Sequence, residues 1–222
     1  MLKEKRLDKL CKKNLYCKRE KNLGTKKRAI FFDRDGVLIK ECHYLSSADK
    51  VEIEKGVFKI LKFAKSKNWL IIVLTNQSGI SRGLFNWDDY ENVTKKFLGL
   101  INNPDYIDGI YANGYVDAND SSWRKPNPGM ILEADEDFNI DLKNSILVGD
   151  RITDLQAAVR GGIRNIFHVM TGHGHKEREE ILKYCSPRKN RNSLAFRFND
   201  INNSSNLFLL ENLEEFPLNV FD

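Results

Sequence analysis

Two carboxylates, Asp33 and Asp35, stand two residues apart where the apolar run Ala29-Ile30-Phe31-Phe32 gives way to Gly36. That is the layout of a nucleophile beside a group that donates and accepts protons. An apolar run of this kind predicts a buried strand, and open parallel sheets bind ligands outside the carboxyl ends of their strands. Two acids at one strand end repel each other unless a cation neutralises them or their pKa values are driven apart, and both outcomes serve catalysis. Alone, the pair is equally an acidic turn closed by glycine. Three further segments change that balance. The run ending at Leu74 continues as Thr75-Asn76-Gln77-Ser78-Gly79, whose hydroxyl, amides and backbone N–H groups can cradle an oxyanion. Arg124-Lys125-Pro126 sets two cations beside a stiff proline, suited to cancelling charge on a phosphoryl group. Gly149-Asp150-Arg151 closes another apolar run, with Asp154 one helical turn beyond Asp150. Taken singly, these are a polar turn, a solvated pair of cations and a helix start.

The elements that must position them alternate. Strands are expected at Ala29 to Phe32, Leu70 to Leu74, Ile107 to Tyr111, Ser145 to Val148 and Asn165 to Val169. Between them, helical spacing is found over Gly56 to Lys67, from a cap at Asn86 or Asp88 to about Ile101, from Pro128 to about Phe138, and over Asp154 to Arg160. Short links between strand and helix predict an α/β fold built on a doubly wound parallel sheet. Glu41 to Glu54 reads as irregular, Pro187 to Asn206 as a polar, Asn-rich loop, and Phe208 to Leu213 as an apolar segment packing on the sheet.

The 222 residues suffice for one such domain, and no apolar stretch approaches the roughly 18 residues of a membrane span. With no signal-peptide pattern, the expected address is cytoplasmic. Cys11, Cys17, Cys42 and Cys185 form no metal-finger spacing and are expected as free thiols. The net charge of +5 is uneven: residues 1–28 carry 12 Lys or Arg against 3 acids, the remainder 24 against 28. We therefore divide the chain into a basic N-terminal extension, 1–27, expected to be solvated and partly disordered or helical, and one domain, 28–222. The acidic balance of that domain argues against nucleic acid as its main ligand.

The ordered set Asp-x-Asp, Ser/Thr, Lys and Gly-Asp-x-x-x-Asp resembles the haloacid dehalogenase (HAD) phosphohydrolases. The strings FFDRDGVL, TNQSGISRG, RKPNPGM and GDRITD are similar to the branch containing heptose bisphosphate and histidinol-phosphate phosphatases. The resemblance implies a Rossmann-like three-layer sandwich with minimal or no cap. It implies Asp33 as the nucleophile forming an aspartyl-phosphate, Asp35 as general acid/base, and Thr75 and Lys125 on the phosphoryl oxygens. Mg2+ would be bound by Asp33, the backbone carbonyl of Asp35, and Asp150, with Asp154 orienting Lys125 or a metal-bound water. Asn76, Gln77, Ser78 and Arg124 would serve substrate, Arg124 and Asn76 at a second phosphate, and His43 and Tyr44 in the flap would set specificity.

For Asp35 to donate a proton near neutrality its pKa must rise from about 3.9 to about 6, roughly 3 kcal/mol of environment, expected from desolvation and neighbouring anions. Relatives of this branch often carry a Cys/His zinc loop before the Arg-Lys-Pro segment. Ala112 to Trp123 holds neither residue type, so no zinc is expected. His173 and His175 are expected in a flexible Gly-rich loop, without a metal. The expected partner is a small phosphorylated metabolite, a sugar phosphate first, histidinol phosphate or a polynucleotide 3′-phosphate as alternatives, and the expected state a monomer or weak oligomer. A non-catalytic scaffold is the reading from another class, and the full set of chemical residues argues against it.

Overall fold

The computed structural model describes residues 9–16, 24–186 and 195–222. Ala29–Phe32 (β2) is the central strand, and every one of its residues is buried, as expected of a strand covered on both faces. After it come α1 (Val57–Ser66), β3 (Leu70–Asn76), α2 (Trp87–Leu100) and β4 (Gly109–Asn113). The chain then continues through α3 (Gly129–Phe138), β5 (Ile146–Gly149), α4 (Ile152–Arg160), β6 (Asn165–Val169) and α5 (Gly174–Lys183). It closes with β7 (Cys185–Ser186), β8 (Phe196–Asp200) and β9 (Asn203–Leu210). A short strand, β1 (Cys11–Leu15), precedes them all.

The strands join in one sheet of order β1-β4-β3-β2-β5-β6-β9-β8-β7. The six from β4 to β9 run parallel, while β1 and β8–β7 are antiparallel additions at the two edges. Alternation along the strands divides the core. Ile30, Phe32, Ile71 and Val73 face α1, α2 and the C-terminal Leu213, Phe216 and Phe221. Ala29, Phe31, Ile72 and Leu74 face Met130, Ile131, Leu155 and Ala158 of α3 and α4. Burying each large apolar side chain contributes about 1.5–3 kcal/mol, so both layers are well secured. The winding reverses between β2 and β5, which are hydrogen-bonded neighbours. Their carboxyl ends are therefore the place where a crevice opens. Residues 41–54 contain one short 3-10 turn, Ala48–Lys50, which is the minimal cap expected. Asn86 caps α2 as expected, in a reciprocal pair with Asp89.

Three expectations need correction. The extension was expected to be solvated, yet Cys11–Leu15 is a strand pairing residue by residue with β4. Its remaining stretches at 1–8 and 17–23, with Cys17, lie outside the described residues. The loop expected over Pro187 to Asn206 contains β8 and the start of β9, and Phe208 lies inside a strand of the sheet rather than packed upon it. The 187–194 part of that loop is likewise outside the described residues. Finally, His173 and His175 do not lie in a flexible loop, for His173 caps α5 and His175 is in its first turn.

Candidate active site

The ends of β2 and β3, residues 41–45 and the loop at 124–125 bring the expected residues to a cavity of about 360 Å3, except Thr75 and Asp150, which are buried and do not line it. Asp33 follows β2 directly, and its backbone N–H donates to Val148 of β5, so the ladder itself sets its position. One carboxylate oxygen of Asp33 lies 2.8 Å from Lys125 Nζ. Lys125 Nζ also lies 2.7 Å from Asp154 and donates to the Leu74 carbonyl at 2.9 Å. Asp154 is fixed by a second bond, accepting from the Arg151 backbone N–H at 3.0 Å. These two contacts hold the Asp154 carboxylate against Lys125.

Asp150 is completely buried, and its two oxygens differ. Oδ2 accepts from the His173 backbone N–H at 2.7 Å, and the His173 ring nitrogen Nδ1 is 3.5 Å away. Oδ1 is buried with no hydrogen-bond partner among the described residues. Gly36 and Gly172, both at positive φ, close on Asp150, and a Cβ at either would collide with its carboxylate. Asp33, Asp150 and Asp154 can each offer an oxygen within 4.8 Å of the others. Three buried carboxylates share one ammonium, leaving two negative charges uncompensated. Burial pushes the Asp33 carboxyl well above the ordinary carboxylate range, against the pull of Lys125 and with Asp154 and Asp150 adding to it. Burial likewise raises Asp150, opposed by the bond from His173. Burial disfavours the Lys125 charge, but Asp154 and Asp33 outweigh it and hold the lysine protonated. An unpartnered buried oxygen and a surplus of two charges on hard oxygen donors fit a divalent cation.

Asp35 stands two residues beyond Asp33 and is ringed by hydrogen-bond donors. Its carboxylate accepts from Arg34 through Nε at 3.0 Å and Nη2 at 3.1 Å, from Gln77 at 2.9 Å and from Thr75 at 3.3 Å. Arg34, completely buried with its guanidinium 5.1 Å from the Tyr90 ring centre, was passed over in the sequence although it stands between the two aspartates. Gln77 also donates to Thr75 at 2.7 Å, so both residues brace Asp35.

Asn76 lines the cavity and also grips its frame. Its amide donates to the Lys125 carbonyl at 3.1 Å and accepts from the Lys125 N–H at 3.2 Å. The Lys125–Pro126 peptide there is cis. Arg124 lines the cavity while donating to the Tyr115 carbonyl at 2.9 Å. Burial, then Arg151 and Arg82, lowers the Arg124 pKa, and Arg124 and Arg151 both line the cavity. Ser78, His43 and Tyr44 line the cavity as expected, His43 and Tyr44 as an edge-to-face pair with ring centres 4.3 Å apart. Glu41, Arg151 and Thr153 line it too and were not foreseen. Arg151 and Thr153 sit within the GDRITD string and were legible from it, whereas Glu41 carries no signal beyond its place in the flap.

The sequence profile of the polynucleotide kinase 3 phosphatase family matches residues 28–181. A D-glycero-alpha-D-manno-heptose-1,7-bisphosphate 7-phosphatase of Burkholderia mallei is 39% identical over 147 residues, covering 62% of this chain and 77% of the relative. A beta-anomer counterpart from Helicobacter pylori is 34% identical over 145 residues, covering 62% and 81%. In fold, the chain is similar to the D,D-heptose 1,7-bisphosphate phosphatase of B. bronchiseptica, solved with magnesium and phosphate. That likeness has a TM-score of 0.67 and 24% identity over 84% of this chain and 94% of that one. A profile match running through every element of the cavity, together with relatives aligned over most of their own length, makes this chain a phosphoric monoester hydrolase belonging to the HAD-like polynucleotide kinase 3 phosphatase family.

Proposed function

We propose that the chain hydrolyses a small sugar phosphate in the cytoplasm with the help of Mg2+, a D-glycero-D-manno-heptose 1,7-bisphosphate being the substrate that suits its cavity and its relatives best. The observation that carries this reading is Asp33 held 2.8 Å from Lys125 beside the unpartnered Asp150 Oδ1. Asp33, Asp150 and the Asp35 carbonyl would hold the metal, which supplies charge neutralisation so that an anionic nucleophile can meet an anionic phosphate. Asp33 attacks phosphorus, the bond to the sugar oxygen breaks, and Asp35 delivers the proton that oxygen needs. Asp35 then takes a proton from water as the water oxygen attacks the aspartyl-phosphate, releasing phosphate and restoring Asp33. Lys125 and Thr75 hold the phosphoryl oxygens, and in-line positioning of this kind contributes up to roughly 7–11 kcal/mol. Arg124, with Arg151 across the rim, suits a second phosphate on the substrate. The flap residues His43 and Tyr44 limit the cavity to a small molecule.

The family description favours a second reading, hydrolysis of a 3′-phosphate on a polynucleotide, served by the same rim cations. Phosphate release from heptose bisphosphates, histidinol phosphate and 3′-phosphorylated oligonucleotides, with and without Mg2+, separates the two. The expected result is metal-dependent turnover with the highest kcat/KM on a heptose bisphosphate. A preference for the oligonucleotide would replace this reading with the second.

A further inference from the structure

Asp150 is the first residue beyond the end of β5. The pairing of β5 with β6 stops at Gly149 opposite His168, so the Asp150 peptide has no ladder partner of its own. His168 supplies one. Its side chain is fully buried, and Nε2 lies 2.9 Å from the Asp150 carbonyl oxygen. The other ring nitrogen, Nδ1, accepts from Arg178 Nε at 2.8 Å. A guanidinium only donates, so Nδ1 must carry the lone pair and the ring proton must sit on Nε2, aimed at Asp150. Arg178 is itself fixed, its Nη2 donating to the Leu210 carbonyl at 2.6 Å and the His168 carbonyl at 3.3 Å.

Arg178 lies on α5, and the N-cap of α5 is His173, whose backbone N–H holds Asp150 Oδ2. One helix therefore fixes the aspartate at two points, its carbonyl through Arg178 and His168 and its carboxylate through the cap amide. The oxygen left over is the buried, unpartnered Oδ1 beside Asp33. We propose that His168, locked in one tautomer by Arg178, is a positioning residue that aims Asp150 Oδ1 at the divalent cation of the site. The inference rests on the metal reading above. Groups that hold a metal ligand in place change metal affinity about 10–100-fold when removed.

Calorimetric titration of Mg2+ into the full-length protein tests it without an activity assay. His168→Phe, which keeps a ring but loses both nitrogens, is expected to weaken Mg2+ binding about tenfold or more, with the near-ultraviolet circular dichroism unchanged. His168→Gln, whose amide can still donate towards the Asp150 carbonyl, is expected to recover most of that loss. Arg178→Met removes the donor that fixes the ring's orientation through Nδ1, so loss of the Nε2–H bond to the Asp150 carbonyl, read in nitrogen NMR of the His168 ring, is expected together with weakened Mg2+ binding. If His168→Phe fails to fold, Arg178→Met alone decides. Wild-type Mg2+ affinity in the variants that fold overturns the positioning role. Wild-type protein that takes up no Mg2+ at all overturns the metal reading itself, a separate and recognisable result.

Discussion

Asp33 and Asp150 stand just beyond the ends of β2 and β5, adjacent strands hydrogen-bonded to each other, whereas Lys125 lies in a loop between β4 and α3. The backbone ladder therefore places the two carboxylates. Side chains from within and beyond it hold the loop: both ends of the Asn76 amide grip the Lys125 peptide, and the loop's own Asn127 donates to the carbonyls of Ala118 and Ser121. Arg160 donates to the Pro126 carbonyl at 3.3 Å and is itself anchored on Asp200 of β8. The carboxylate half is thus encoded in contiguous strings, while the ammonium half depends on partners tens of residues away. Damage to one half need not disturb the other.

The largest effect is expected where the carboxylate half meets the chemistry. Asp33→Asn removes the attacking oxygen, and single-turnover phosphate release is expected to fall on the order of 10⁴-fold or more. Near-wild-type turnover would mean that another group attacks. Asn76→Ala probes the loop half. Misplacing Lys125 by about 1 Å is expected to lower kcat/KM up to about 10²-fold with Mg2+ affinity unchanged, the reverse of the pattern expected for His168→Phe. A common loss of both would show the halves to be coupled.

Acid should separate them next. Burial, then Arg178, holds the His168 pKa at about 4 against an ordinary value of 6.5. The unfolded chain therefore binds more protons between these values, and stability is complete above pH 6.5 and lost as pH falls towards 4. The contribution is about 3 kcal/mol, read as the change in the wild-type minus His168→Phe unfolding free energy across that interval. A flat difference would place a charged imidazole in the core. The smallest effect belongs to the far edge of the loop half. Lys13 of β1 lies 2.7 Å from Glu133 and 2.9 Å from Asp137 of α3. Lys13→Ala is expected to cost about 1 kcal/mol by denaturant titration and to leave Mg2+ binding alone.

The same contrast explains what the sequence made legible. β2, β3, β5 and β6 are mainly apolar, largely buried runs, and the polar residues that end or follow β2, β3 and β5 were found with their neighbours. Lys125 was found as a motif, but its Asn76 and Arg160 clasps were not, since nothing local to RKPNP names them. β1 escaped notice because CKKNL has little apolar content and its residues are only half-buried, its pairing being carried by the backbone. α5 has only Gly174 and Ile181 buried, so it lacks the apolar stripe by which helices are recognised. β9 hides behind Asn and Ser, yet Ser205 buries its hydroxyl by donating to the Ile163 carbonyl at 2.6 Å, and Asn206 donates to Asn165 at 2.7 Å. Polar groups that are satisfied inside a fold look, in one dimension, like polar groups in water.

The family match begins at residue 28, so β1 lies outside it. β4, the strand it covers, is buried along its whole length as Gly-Ile-Tyr-Ala-Asn. Stripped of β1, this strand would offer a row of unpaired backbone groups flanked by apolar side chains, a template on which another chain could add. β1 takes that place, and its Lys12 and Lys13 tie it down through ion pairs with Glu91 and with Glu133 and Asp137. Pairing by β1 thus covers this edge, and removal of residues 9–16 is expected to show first as concentration-dependent aggregation during expression or refolding, before any change in the chemistry of the site.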